Sequence, residues 1–244
     1  MSGPLAGART RAVVRAATAL GRRGFELRRH PATRRQRLLA ERGVDLVLDV
    51  GAADGGFARE LRSFGYTGDI VSFEPRRAAH ATLAAGAAAD ARWSTRALAL
   101  GEEPGRAHIN VASNETSSSL LPLGREHVAA APQVAYVGTE EIDVSTLDAE
   151  ALDLVAGRAA VLKVDTQGFE RQVLAGGPGV VDAIVGLQLE LSFTPMYDGG
   201  MLVDEAISWA YDHGFTLVVV EQGFASPDGR VLQADGFFLR SSTV

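Results

Sequence analysis

The run of residues that most constrains this chain is DLVLDV (45–50) followed at once by GAADGG (51–56). The first six residues read as a buried strand, and Gly56–Phe64 reads as an amphipathic helix, so a glycine turn joins strand to helix. Glycine lets the backbone pass close to a ligand with no side chain in the way. In an open α/β sheet, ligands sit at the carboxyl ends of the strands, where the strand order reverses. The plainer reading is a tight turn that simply needs its glycines.

The rest of the chain repeats the alternation. Asp69–Phe73, Trp93–Leu100, Ala160–Asp165, Ala183–Leu191, Thr216–Glu221 and Val231–Arg240 read as strands, with helices over Arg77–Ala85, from Glu170 and over Val203–His213. Arg106–Val111 and Glu140–Val144 are further strand-like runs around a Ser-rich loop. Short apolar runs separated by helices predict an α/β fold: a mostly parallel sheet with helices on both faces. The last two strands read as a hairpin through Ser226–Arg230, which makes the terminal strand antiparallel. Residues 44–244 then form one domain. Residues 1–43 form a basic helical arm, in which Pro31 opens a helix with Leu38 and Leu39 inward and Gly43 ends it.

Composition removes several functions. With no Cys, the chain has no disulfide scaffold, thiolate zinc site or cysteine nucleophile. Residues 1–43 carry eleven Arg against Glu26 and Glu41, a charge of +9; the whole chain is −6, so the remainder is −15. An acidic body disfavours nucleic acid, which needs clustered positive charge. The arm suits a disordered tail, a lid or dimer element of a homo-oligomer, or peripheral contact with an anionic membrane. Its thin apolar face favours lid or tail. Residues 12–20 are too short to span a bilayer and lack a signal-peptide pattern, which predicts a cytoplasmic protein.

The second strand ends in Phe73-Glu74-Pro75, and an acid at that place accepts hydrogen bonds from the hydroxyls of an adenosyl ribose. A dinucleotide fingerprint would need glycine at Ala53 and would suffer from Asp49 and Asp54 facing a pyrophosphate. Two carboxylates suit a cationic ligand with an amino-acid end, which points to S-adenosylmethionine rather than NAD.

Together the segments VLDVGAADGGFARELR (47–62), IVSFEP (70–75), ALALGEEPG (97–105), SNETSSSLLP (113–122), LKVDTQGFERQVLAG (162–176) and VGLQLEL (185–191) resemble the FkbM-type S-adenosylmethionine-dependent methyltransferases over roughly residues 35–240. Ala53 stands where that family often has Asn. The resemblance implies a Rossmann-like class I methyltransferase sheet and O-methylation of a sugar or polyketide hydroxyl, in natural-product or cell-envelope glycan biosynthesis. It implies that Asp49, Gly51 and Asp54 hold the methionine end, Glu74 the ribose, and Ala97 and Leu98 the adenine. Ala52, Gly55, Phe57, Pro75, Asp165 and Gln167 complete the expected donor site.

An aliphatic hydroxyl needs a base or a metal to help it shed its proton. Asp165 and Glu190 end their strands at the ligand edge, so they are the expected catalytic pair and the expected ligands of Mg²⁺. The alternative is that Asp165 orients the donor amine and Glu190 caps the next segment. His127 is a further candidate base, although a lone His on an Ala-rich helix is more often structural. Asn114–Ser119 and Pro195–Asp198 are candidate walls for the acceptor, and Glu170 a candidate helix cap. The expectation is a methyltransferase acting on a small-molecule or glycan hydroxyl. The alternatives are methylation of a polyketide or an amine, and an adenosyl-binding protein without catalysis.

Overall fold

The computed structural model describes residues 4–25, 30–114 and 116–241. Its main sheet is built from β1 (Leu46–Val50), β2 (Asp69–Phe73), β3 (Trp93–Arg96), β7 (Ala160–Val164), β8 (Gly186–Ser192), β9 (Phe215–Gln222) and β10 (Gln233–Arg240), in the order β3-β2-β1-β7-β8-β10-β9. The first five are parallel along their shared edges, and β10 runs antiparallel to both β8 and β9. The terminal strand is therefore antiparallel, as expected, but it slots inside the sheet and leaves β9 at the edge. This is the Rossmann-like class I methyltransferase sheet. Strand order reverses between β1 and β7, which opens a crevice at their carboxyl ends.

Burial on both faces explains why the central strands carry little polar sequence. Leu46, Leu48 and Val50 of β1 and Ala160, Leu162 and Val164 of β7 point into one core layer. Covering that layer are α6 (Leu147–Val155), α7 (Glu170–Ala175), α8 (Pro178–Ala183) and α9 (Val203–Asp212). Val47 and Val161 point the other way, towards α2 (Pro31–Glu41), α3 (Gly56–Ser63) and α4 (Arg77–Ala87). Asp49 and Lys163 alternate onto this second face.

One expected strand divides. Trp93–Leu100 breaks after Arg96, and β4 (Ala99–Gly101) joins β5 (Gly105–Ala112) and β6 (Tyr136–Thr146) in a separate sheet of order β4-β6-β5. The break has no Gly or Pro to announce it. Leu98 packs against the main core while Ala99 pairs with Val144, so tertiary pairing overrides a continuous strand pattern. Between β5 and β6 the chain forms a loop and the short α5 (Arg125–Ala130).

The arm is helical in both described parts. In α1 (Pro4–Gly21), none of residues 13–21 joins a buried cluster. α2 instead packs into the body: Leu39 is buried in the second core layer, and buried Arg35 pairs with Glu60 of α3 and, at 3.2 Å, with Glu221 of β9. Replacing Arg35 by Met should leave Glu221 without its partner in a largely buried position. We expect a loss of about 2–3 kcal/mol, read as a lower urea midpoint with an unchanged slope.

Candidate active site

The glycine turn lies as close to its neighbour strand as a backbone can. Gly51 has φ +75°, and a Cβ there would stand 1.9 Å from the carbonyl oxygen of Asp165. Its carbonyl accepts from Lys163 Nζ at 3.3 Å. Lys163, the chain's one lysine, also lies 3.1 Å from Asp49 Oδ1 and 3.5 Å from Asp165 Oδ2. Burial pulls its pKa down, but the charges of Asp49 and Asp165 outweigh burial and hold it above its ordinary value. Asp49 Oδ2 accepts from Ser72 Oγ at 3.2 Å, and Ser72 in turn accepts from Trp93 Nε1 at 3.0 Å. One ammonium thus ties the end of β1, the turn and the end of β7 together.

Above this clamp opens a cleft of about 730 Å³, mouth included. Of the residues expected to bind the donor, Gly51, Glu74, Pro75, Leu98, Asp165 and Gln167 line it. Its lining combines apolar Phe73, Leu98, Ile109 and Leu120 with polar Glu74, Asp165, Thr166 and Gln167. Glu74 Oε2 accepts from Ala53 N at 3.0 Å, while Oε1 accepts from the backbone N and Nε of Arg76. Burial pushes the Glu74 carboxyl up, and Arg76 works against that rise. An apolar slot, a buried carboxylate beside it and a turn with no Cβ fit an adenosyl group with a polar tail.

Other expected donor contacts stand outside the described lining. Asp49 is fully buried beneath the turn in its pair with Lys163. Asp54 caps α3 by accepting from Gly56 N at 3.0 Å, and it pairs with Arg59 at 2.6 Å. Ala52 is buried in the second core layer. Gly55 leaves room for Leu83 and Trp93. Phe57 lies between the Arg35 guanidinium and Lys163, 5.0 and 5.3 Å from its ring centre. Ala97 is exposed.

The surroundings of Asp165 are organised by Gln167, a non-glycine residue at φ +57°. Buried Glu170 holds that turn, accepting from Thr166 N at 2.8 Å, Thr166 Oγ1 at 3.1 Å and Gly168 N at 3.1 Å; these bonds fasten the turn that precedes α7 (Glu170–Ala175). Gln167 Nε2 donates to Asp165 Oδ1 at 2.7 Å and lies 3.3 Å from both oxygens of Glu190. Its Oε1 accepts from Tyr197 Oη at 2.6 Å, and its backbone oxygen accepts from Ser119 Oγ at 2.7 Å. The two expected catalytic carboxyls are therefore brought together, with an amide between them. Glu190 stands behind that amide and also accepts from Gln233 Nε2 at 2.6 Å. Burial, then the charge of Asp165, raises its pKa well above the usual range. His127 is buried on α5, edge-on to Tyr197 at 5.4 Å between ring centres, and is not part of the described lining. Burial lowers its pKa.

The sequence reading missed Lys163, Gln233, Asp235 and the Tyr197–Gln167 bond. A lysine inside a buried strand was the one available signal, since burying an ammonium requires partners.

With this geometry in place, the comparison with known families is decisive: the methyltransferase FkbM domain model matches residues 49–217. The chain belongs to the FkbM methyltransferase family. It is an S-adenosylmethionine-dependent methyltransferase. No curated protein matches it. Among solved structures it is similar to magnesium protoporphyrin IX methyltransferase from Synechocystis PCC 6803 with bound SAM (TM-score 0.47, 11% identity, 86% of this chain and 78% of that one). It is also similar to an rRNA methylase from Streptococcus thermophilus (0.44, 11%, 88% and 99%). A third is fibrillarin from Aeropyrum pernix with natively bound S-adenosyl-L-methionine (0.40, 12%, 80% and 66%).

Two expectations follow for this FkbM enzyme. Ala53 sits at φ +48°, where an alanine is strained and an asparagine is tolerated. Ala53→Asn should raise stability by about 1 kcal/mol in thermal unfolding. Asp235, opposite Glu190 and Glu221 in the sheet, is pushed from 3.8 to about 6 by burial first and by Asp165 second. The folded state then holds a proton that the unfolded state releases, so stability should fall as the pH rises from about 4 to about 6. Asp235→Asn should be more stable than the parent by on the order of 2 kcal/mol at pH 8, with the gap closing at pH 4.

Proposed function

We propose that this cytoplasmic enzyme is an O-methyltransferase whose acceptor is a hydroxyl of a sugar, a glycosylated natural product or a cell-envelope glycan. One observation carries the reading: besides Asp165, the lining of the cleft includes the hydroxyl and amide side chains of Thr116, Ser118 and Gln167. Such a lining can hydrogen-bond several hydroxyls of a polyol at once.

S-adenosylmethionine supplies a sulfonium methyl group that an oxygen displaces in line. The chain's residues must align the acceptor, exclude water and take up a proton. In this reading Glu74 accepts from the ribose hydroxyls and Leu98 with Pro75 flanks the adenine, while Leu120 and Phe169 add apolar lining to the same cleft. An aliphatic hydroxyl has a pKa comparable to that of water, about 15–16, so proton removal must accompany methyl transfer. Asp165 is the base in this reading. Its side chain is 29% exposed in the cleft, with Oδ1 held by Gln167. Tyr197 fixes the orientation of that amide, and Glu190 braces it from behind. His127 touches this arrangement only through the ring of Tyr197.

Mg²⁺ at Asp165 and Glu190 fits this donor set poorly. The amide nitrogen of Gln167 is directed at both carboxyls, and no cluster of three or more His, Asp or Glu ligands occurs among the described residues. We therefore route no step through a metal, and EDTA is expected to leave turnover unchanged.

The test is a methylation assay by mass spectrometry against panels of glycosides, polyketide alcohols and amines, with calorimetry of donor binding. Asp165→Asn should lower kcat by about 10²–10⁴-fold while donor Kd moves less than about tenfold. A large loss of donor affinity with kcat intact would instead make Asp165 an anchor for the donor amine. Turnover of amines alone would remove the hydroxyl assignment, and donor binding with no turnover of any panel would favour a non-catalytic adenosyl-binding protein.

A further inference from the structure

Residues 13–25 of the arm take no part in the proposed chemistry. Residues 4–25 contain five arginines and neither Asp nor Glu. None of residues 13–25 lines the cleft or enters a core cluster. Val13 and Val14 are 58% exposed and Phe25 65%, the most exposed large apolar side chains described apart from Val137 at 67%. Arg15, Arg22 and Arg23 are exposed and make no ion pair among the described residues. At 100° per residue, Val13 and Leu20 fall on one side of α1 and Arg15 lies on the opposite side; Arg22, Arg23 and Phe25 follow just after the helix ends at Gly21.

A second basic surface lies where α2 begins. His30, Thr33, Arg34 and Arg37 line a shallow cleft there, and both arginines are exposed without an ion pair among the described residues. Buried Arg35 fastens the same helix to the body, so this surface is rigidly carried.

We propose that this arm seats the enzyme on an anionic phospholipid surface. A helix with exposed Val13 and Val14 and with Arg15 opposite Val13, followed directly by Arg22, Arg23 and exposed Phe25, matches the requirements of an interfacial segment. Arginine stems lie along the acyl boundary while their heads reach the phosphates. No described helix is long and apolar enough to cross a bilayer. Nucleic acid is the poorer occupant. It has no use for the exposed side chains of Val13, Val14 and Phe25.

The experiment is co-sedimentation of the full-length protein with vesicles of phosphatidylcholine alone or with about one-third phosphatidylglycerol. The anionic vesicles should carry down at least about tenfold more protein, and about 0.5 M salt should release most of it. Arg15→Gln with Arg22→Gln, and separately Val13→Ser with Phe25→Ser, should each cut the bound fraction by about fivefold or more, with donor affinity unchanged by calorimetry. Protein left in the supernatant with anionic vesicles would overturn the proposal, whether the arm were idle or docked on a second acidic copy. Equal binding to both vesicles would overturn it too. So would binding to a short DNA duplex as strong as to the anionic vesicles and indifferent to Val13→Ser with Phe25→Ser.

Discussion

Lys163 occupies the point where the sheet changes direction, and the site depends on it. Its ammonium is buried between Asp49, the Gly51 carbonyl and Asp165, at 3.1, 3.3 and 3.5 Å. A lone buried ammonium or carboxylate costs several kcal/mol, so each charge here requires the others. The same contacts bring β1 and β7 to a common level at their carboxyl ends and hold the glycine turn against Asp165. The cleft is the space above that clamp.

A second constraint works from the opposite side. Gln167 adopts a backbone conformation unusual for a side-chain-bearing residue, and such strain persists only where the surroundings over-determine it. Glu170 accepts three hydrogen bonds from this turn, while Ser119 and Tyr197 fasten it from two separate loops. Loop 113–123 and the segment after β8 therefore meet the carboxyls through one residue. The small sheet of β4, β5 and β6 serves this arrangement, since Ile109 and Ala99 bring its inner side to the cleft.

Legibility differed residue by residue. Glu74 and Gly51 were readable because the strand–turn–helix pattern leaves them few other places to go. Asp49 is one residue-type match away from Glu74 in kind, yet it is buried under the turn, while Asp54 caps a helix. A pattern of acids identifies carboxylates near a turn, but strand alternation and helix geometry decide which of them face the ligand. The division of Trp93–Leu100 was hidden for a related reason: its residues suit a strand on either side of the break, and only pairing partners distant in sequence separate β3 from β4.

By itself the sequence determined the α/β class, the glycine turn at a strand end, the family, and the contrast between a basic arm and an acidic body. These follow from local periodicity, turn chemistry and composition, which act over a few neighbouring residues. Only the tertiary structure decided that Asp165 and Glu190 share one amide, that Lys163 joins two strand ends, and that α2 is anchored while α1 stands apart. Those outcomes depend on which side chains meet across 20 to 190 positions of chain, as Arg35 meets Glu221, 186 residues away. Burial decides them: a polar group removed from water must find its partner wherever the fold supplies one.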